Sequence, residues 1–327
     1  MTVSYLHKNN YLHLTQAKKL SIKMKVLLTG ATGFLAYRTL EKLIEDPRVD
    51  SIVAAARTDR KWRRKSNPKV TYLFGDLTDR GYVKMIVQEC NTIIHTAALS
   101  SPWGSYEAFK IANVIVQENL IEAAKQADIQ RFIYVSTPSI YFELKDKHNI
   151  KESDSLPKHF INAYAQTKRE AERLLETSGL EFISIRPRAL IGRGDTIIMP
   201  RLIRAYDEGK LKVMGDGRNM VDLTPVSNVA DSLILSLFAE KKAINQVYNL
   251  SNGAPANLWE KIESVLNHLD RKLTQKKVPF WLVRSLAKFL EFKSNITNKK
   301  EPVLTVYGVG TLTKSFSMDI SKAKNLL

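Results

Sequence analysis

A tyrosine and a lysine four residues apart on a helix share one face. An ammonium beside a phenol lowers the phenol's pKa, so the hydroxyl can exchange a proton with a substrate oxygen. The 327-residue chain holds four such pairs: Tyr106/Lys110, Tyr141/Lys145, Tyr164/Lys168 and Tyr206/Lys210. Spacing alone does not choose among them. Tyr206/Lys210 spans Gly209, a helix terminator. Tyr141/Lys145 lies in a stretch without a clear helical period, and Tyr106/Lys110 sits just after a Gly-containing turn. Only Tyr164-Ala165-Gln166-Thr167-Lys168 opens a convincing amphipathic helix, running to about Thr177 between two strand-like runs. Tyr164 and Lys168 are therefore the candidate catalytic pair. A hydroxyl that polarises a carbonyl is expected at the end of the preceding strand, where Val135-Ser136-Thr137 offers two before Pro138 stops the run.

The second constellation is a turn that could hold phosphate. Thr29-Gly30-Ala31-Thr32-Gly33-Phe34-Leu35-Ala36 follows the strand-like run Val26-Leu27-Leu28 and opens an amphipathic stretch from Phe34 to Ile44. Glycines there let the backbone approach a pyrophosphate, whose charge meets free N–H groups at the positive helix end. Gly30, Thr32, Gly33, Phe34 and Leu35 are thus candidate dinucleotide contacts, and Ala36 is small enough for close helix–strand packing. The next run, Ser51 to Ala56, ends in Arg57 rather than in an acid that would hold ribose hydroxyls. A guanidinium can pair with a 2′-phosphate bidentately, so NADP(H) is favoured, with NAD(H) the alternative. Asp76, in Gly75-Asp76-Leu77, could accept from an adenine amino group or could simply form a turn.

The elements that must position these residues are legible in outline. Val70 to Phe74, Thr92 to His95, Arg131 to Val135 and Glu181 to Ile185 are further strand-like runs. Between them lies a long helical pattern with Ile111, Val114, Ile115, Leu120, Ile121 and Ala124 on its apolar face. Strands alternating with helices predict an α/β fold with a parallel, doubly wound sheet. Past Arg186 the pattern becomes irregular, and a smaller C-terminal substrate lobe is expected over 191–327, interleaved with a dinucleotide-binding part over 24–190. Met214 and Met220 read as packing within that lobe, and His95 as a packed strand end. Pro279 to Phe292 sets a narrow polar stripe, Arg284, Lys288 and Glu291, on a broad apolar surface. It reads as a packed lobe helix, a lid over a greasy substrate or an interfacial membrane helix.

Composition excludes other classes. A formal charge of +17 arises from 50 basic and 33 acidic residues, but the basic residues are dispersed and no nucleic-acid motif accompanies them. The one dense run, Arg60 to Lys65, sits beside the candidate cofactor site. A single cysteine, Cys90, rules out an intramolecular disulfide framework and suits a reducing, cytoplasmic setting. The six histidines lack ligand-like spacing, so no metal site is expected. Residues 1–23 hold Lys8, Lys18, Lys19 and Lys23, no acid and no apolar signal core. They are expected to be a loose extension before Met24.

Together these motifs resemble the extended short-chain dehydrogenase/reductase superfamily, across Lys25 to Leu327. The resemblance rests on Thr29-Gly30-x-x-Gly33-x-x-Ala36, Gly75-Asp76-Leu77, His95-Thr96-Ala97-Ala98, Asn113, Ser136-Thr137, Tyr164-x-x-x-Lys168 and Arg186-Pro187. It implies a Rossmann-type fold, with Tyr164 as general acid/base, Lys168 on the nicotinamide ribose and Thr137 in the Ser/Thr position. Asn113 would support a proton-relay water. Leu77, Ala97, Ala98 and Pro187 would line the cofactor. Where nucleotide-sugar epimerases of this superfamily carry an Arg before the Asp of an Arg-Asp-aromatic segment, the chain has Val221 before Asp222. It is more similar to the 3β-hydroxysteroid dehydrogenase branch, and most of all to bacterial 2-alkyl-3-oxoalkanoate reductases, through Trp103-Gly104-Ser105-Tyr106, Arg186-Pro187-Arg188 and Gly215-Asp216-Gly217-x-Asn219. Those enzymes run past a further segment after their last helix, so a shortened C-terminus is expected here. The expected activity is interconversion of a ketone and a secondary alcohol on a hydrophobic, 3-oxoacyl-like or steroid-like substrate by hydride transfer, with nucleotide-sugar epimerisation as the alternative. A peripheral membrane contact and a homodimer are the further partners considered.

Overall fold

The computed structural model describes residues 24–297 and 300–327, so the expectation for residues 1–23 lies outside the described residues. Seven parallel strands form the central sheet: β1 (Met24–Thr29), β2 (Val49–Ala56), β3 (Val70–Phe74), β4 (Thr92–His95), β5 (Arg131–Val135), β6 (Phe182–Pro187) and β7 (Gln246–Leu250). Their order across the sheet is β7-β6-β5-β4-β1-β2-β3. The order reverses between β1 and β4, and a sheet of this kind opens its ligand crevice at the carboxyl ends of the strands beside such a reversal. Runs such as Val26-Leu27-Leu28 and Ile93-Ile94 are wholly buried, as expected of strands covered on both faces.

Each face is covered by helices whose apolar residues recur at helical spacing. On one face α1 (Phe34–Glu45) buries Leu35, Ala36, Leu40 and Leu43 and packs beside α6 (Val226–Leu237). On the other lie α2 (Arg80–Val87), α3 (106–126) and α4 (Ala163–Glu176), closed around Leu27, Ile93, Phe132 and Tyr134. Thus α6 and β7, which the sequence pattern assigned to an irregular lobe, belong to the sheet and its covering layer. The run Gln246-Val247-Tyr248-Asn249-Leu250 carries only a short apolar signal, and its pairing with β6 makes it a strand. The sixth strand also runs on through Arg186 and Pro187.

The remaining chain builds the lobe. A small sheet joins 147–150, 220–221, 256–257 and 316–318. An apolar cluster joins Val213, Met214, Trp259, Leu266, Val283, Ala287 and Val309, drawing on α5 (Ile198–Asp207), α7 (Leu258–Asn267), α8 (Phe280–Ile296) and α9 (Val306–Thr313). Met214 is part of this packing, whereas Met220 lies in the open. The sequence left the orientation of α8 open among three readings. Val283, Ala287 and Ser294 face inward, Glu291 accepts from the Val306 N–H at 2.7 Å, and Trp281, Leu282, Leu286, Phe289, Phe292 and Ile296 are exposed. The small residues let α8 approach α9 closely, which turns its large side chains outward.

Buried charge fixes how α4 sits on the sheet. Glu172, wholly enclosed, binds the Arg186 guanidinium of β6 at both oxygens, and Arg186 also donates to the Tyr141 hydroxyl. Arg169 reaches the same carboxylate at 2.9 Å. Breaking one side of such a pair strands the other charge out of water. Arg186→Leu is expected to lower the unfolding free energy in urea by about 3–5 kcal/mol. The double variant Glu172→Leu/Arg186→Leu should recover much of that loss, and equal losses in the two variants would contradict the account.

Candidate active site

The carboxyl ends of β1 and β2 form a cradle for a dinucleotide. Gly30 adopts φ +71°, and a Cβ added there would lie 3.0 Å from the Ala97 Cα, so only glycine lets the two backbones meet. The Gly33 N–H donates to the Gly30 carbonyl at 2.7 Å, closing the turn, and Gly33 caps α1 without a side-chain acceptor. The first N–H groups of α1 are therefore unclaimed by a side chain, at the end of the helix that attracts anions. Thr96 Oγ1 donates to the Thr29 carbonyl at 2.8 Å and the Ala97 N–H to Thr29 Oγ1 at 3.3 Å, tying the 96–98 loop to the turn. His95 is buried, pairs with Thr29 Oγ1 through Nδ1 at 2.7 Å, and burial pushes its pKa down to about 3, so it stays neutral. These residues fit a bound dinucleotide.

Around the turn, Thr32 and Leu35 are buried and Phe34 is half-buried. Arg57 is exposed at the end of β2 and faces Asp76 electrostatically. Asp76 Oδ1 accepts from the Thr78 N–H and from Thr78 Oγ1, both at 2.9 Å, which holds its carboxyl below the usual range. Asp76 is thus engaged in the turn that follows β3. Asn119, missed by the sequence reading, fixes that turn by donating to the Leu77 carbonyl at 3.0 Å and the Thr78 carbonyl at 3.2 Å. Arg63 is a second missed residue: buried, it donates to the Thr32 carbonyl at 3.1 Å and the Gly194 carbonyl at 3.0 Å, clamping the phosphate turn to the lobe.

At the carboxyl ends of β4, β5 and β6 the candidate catalytic groups converge. The half-buried Tyr164 hydroxyl neighbours the hydroxyls of Thr137 and Ser100. Strand alternation separates the two hydroxyls left open by sequence: Ser136 lies on the Glu172 side, where its buried Oγ has no hydrogen-bond partner, and Thr137 on the Tyr164 side. Lys168 is 2% exposed, donates from Nζ to the Val135 carbonyl at 2.7 Å and lies 4.1 Å above the Tyr134 ring. Burial pushes its ammonium down to about 7, against the opposing pull of Glu172. The expectation that Lys168 lowers the phenol's pKa meets a different geometry. Burial raises Tyr164, Ser100 and Thr137 pull it back, and Lys168 is turned to β5. Pro187 is buried at the end of β6, beside Leu250 of β7.

Asn113 sits in a six-residue π turn, 110–115, inside α3. Its Nδ2 donates to the Leu99 carbonyl and to Thr167 Oγ1, each at 3.2 Å, and its Oδ1 accepts from the Leu99 N–H at 2.9 Å. It thereby joins the 97–100 loop to α4. Such turns insert a residue and shift the helical phase, which is why Ile111 is exposed although it shares a sequence stripe with Val114. The other Tyr/Lys pairs lie elsewhere. Tyr106 does stand in α3, contrary to its reading by context, and donates to the half-buried Glu170 at 2.9 Å. Tyr141 is buried against Arg186, and Tyr206 accepts from the Lys272 N–H at the surface.

The geometry has counterparts in known proteins. Residues 26–251 match the NAD dependent epimerase/dehydratase family model. A 2-alkyl-3-oxoalkanoate reductase of Stenotrophomonas maltophilia is 31% identical over 265 residues, covering 79% of each chain. A sterol-4-alpha-carboxylate 3-dehydrogenase, decarboxylating, of Homo sapiens is 28% identical over 262 residues, 77% of this chain and 69% of that protein. Among solved structures, UDP-glucuronic acid 4-epimerase from Bacillus cereus in complex with NAD superposes with a TM-score of 0.72 at 22% identity, over 93% of this chain and 92% of that one. That likeness is one of fold.

The buried lysine has a pH signature. With its folded pKa near 7 and its unfolded value at 10.5, the unfolded chain binds a proton through that window that the ligand-free fold does not. Stability therefore rises with pH from about 7 to about 10.5. The gap in urea midpoint between the parent and Lys168→Met should change in the parent's favour across that range, and a gap flat with pH would contradict it.

Proposed function

This chain belongs to the NAD dependent epimerase/dehydratase family, and from that premise we propose that it is an NADPH-dependent reductase of a ketone on a hydrophobic substrate. The observation that carries the reading is the convergence of the Tyr164 and Thr137 hydroxyls beside an open phosphate turn. Thr137 and Tyr164 would hydrogen-bond the substrate carbonyl oxygen, and Tyr164 would hand it a proton. A phenol held above its ordinary pKa is protonated at neutral pH and ready to donate. Lys168 would hold the ribose of the nicotinamide half, where desolvation makes its hydrogen bonds directional. Gly30, Gly33 and the first N–H groups of α1 would receive the pyrophosphate, with Thr32, Phe34, Leu35, Ala97, Ala98 and Pro187 along the cofactor. Asn113 would be a positioning residue that holds the 97–100 loop against α4. When bound, the reduced nicotinamide supplies the hydride.

Arg57, with no acid at the end of β2, supports a preference for the 2′-phosphate. The relatives' names support the substrate class, since both describe oxidation or reduction at position 3 of a molecule that also carries a carboxylate. Nucleotide-sugar epimerisation is disfavoured because Val221 is buried and paired to Phe316, leaving no cation for a diphosphate at that position.

Two measurements check this. Tyr164→Phe should lower kcat by about 10²–10⁴-fold while NADPH binding by fluorescence titration stays within a few-fold of the parent. An unchanged kcat would overturn the role given to the phenol. Arg57→Glu should invert the NADPH/NADH ratio of kcat/KM by roughly tenfold or more, since it replaces a charge-assisted pair with repulsion. An unaltered ratio would assign cofactor choice elsewhere.

A further inference from the structure

The hydroxyl network does not stop at Thr137. Thr137 Oγ1 donates to Ser139 Oγ at 3.1 Å, and Ser139 Oγ meets the Tyr307 hydroxyl of α9 at 2.8 Å. Two such bonds bring the Thr137 and Tyr307 hydroxyls within about 6 Å of one another. Tyr307 in turn neighbours the guanidinium of Arg188, the residue that follows Pro187 at the end of β6. The sequence analysis quoted Arg188 only as part of a resemblance, and the mechanism above does not use it.

Arg188 is 7% exposed, and its Nε has no hydrogen-bond partner. Among the described residues it makes no direct ion pair; Phe316 lies beneath it, with the ring centroid 4.5 Å from the guanidinium carbon. The acid that faces it is Asp222, whose Oδ2 accepts from the Met318 N–H at 2.7 Å and whose Oδ1 is buried without a hydrogen-bond partner. No carboxylate oxygen, that of Asp222 included, stands within ion-pair distance of the Arg188 guanidinium among the described residues, and the buried Arg188 Nε is left without a partner. A guanidinium does not shed its charge at any ordinary pH. Burying one without a full partner is costly and is retained where an anion completes it.

The backbone keeps this cation in place. The Arg188 N–H donates to the Leu250 carbonyl at 3.0 Å, and its carbonyl accepts from Thr224 Oγ1. Ala189 is held at φ +40°, a conformation costly for a residue with a side chain, and its carbonyl accepts from the Thr224 N–H at 3.0 Å.

We propose that Arg188 and Tyr307 form an anion subsite that seats a carboxylate of the substrate next to the reacting ketone. The guanidinium receives the carboxylate in a forked pair, and the neighbouring ketone oxygen falls to Thr137 and Tyr164. The preferred substrate is then a 3-oxo acid, or its 3-hydroxy acid in the reverse direction, rather than an ester or a simple ketone. Arg188 is a specificity-determining residue. This rests on the reductase reading and deepens it.

The test uses the chemically stable reverse substrates, 3-hydroxydecanoate and its methyl ester, with NADP+. The parent enzyme should favour the acid over the ester by tenfold or more in kcat/KM. Arg188→Met should reduce that preference by about ten- to a hundredfold, chiefly through KM for the acid, and Arg188→Lys should restore part of it. Tyr307→Phe, which leaves the buried charge in place, should shift the ratio in the same direction by a smaller factor. In parallel, calorimetric titration of the enzyme–NADPH complex with 3-hydroxydecanoate measures binding without turnover. Loss of that binding in Arg188→Met supports the subsite even if neither alcohol is oxidised, in which case the reductase reading is what fails. Equal turnover of acid and ester by the parent, or an acid affinity untouched by Arg188→Met, overturns the subsite.

Discussion

The arrangement depends on helix α4 being locked to the sheet by charges removed from water. Glu172 holds Arg186 of β6, and Lys168 holds the Val135 carbonyl of β5, so two turns of one helix are tied to two adjacent strands. Each buried group would be destabilising alone, and together they leave α4 one register. Tyr164, one turn before Lys168, is thereby brought to the carboxyl edge of β5. A slip of one residue would rotate the phenol by about 100° and separate it from Thr137.

From that edge the polar groups extend in a connected line. Ser100 and Thr137 lie beside Tyr164, Thr137 bonds Ser139, Ser139 bonds Tyr307, and Tyr307 lies beside Arg188. The line joins β4, β5 and β6 of the sheet to α9 of the lobe. A substrate lying along it would touch residues contributed from both parts of the chain, so that under the proposed reading the lobe would contribute chemistry as well as cover. The π turn at Asn113 serves the same end, since its extra residue lets one amide bridge the 97–100 loop and α4.

Two cationic regions carry different tasks. On the β2 side, Arg57 is exposed and open to a charged ligand, whereas Arg63 is buried with its guanidinium on backbone carbonyls. On the β6 side, Arg186 is matched by Glu172 and is structural, whereas Arg188, just past the strand's end and over Phe316, has no such match. The charge of +17 is thus no guide to function by itself. What matters is which cations lack a partner.

Much of this was written in the local pattern. The alternation of short β-branched runs with amphipathic helices determined the doubly wound sheet, and Gly30 with Gly33 between a strand and a helix determined where a dinucleotide could lie. Context along the chain also singled out Tyr164 and Lys168 among four equal spacings. These features depend on neighbours a few residues away, so they survive in one dimension. Tertiary structure alone decided that 246–250 is a seventh strand, that α8 turns its large apolar residues outward and that Ser136 and Thr137 part company. It also brought Tyr307 and Arg188, which lie 119 residues apart, next to each other. Burial and partnership are properties of how distant segments pack, and no periodicity within a segment encodes them.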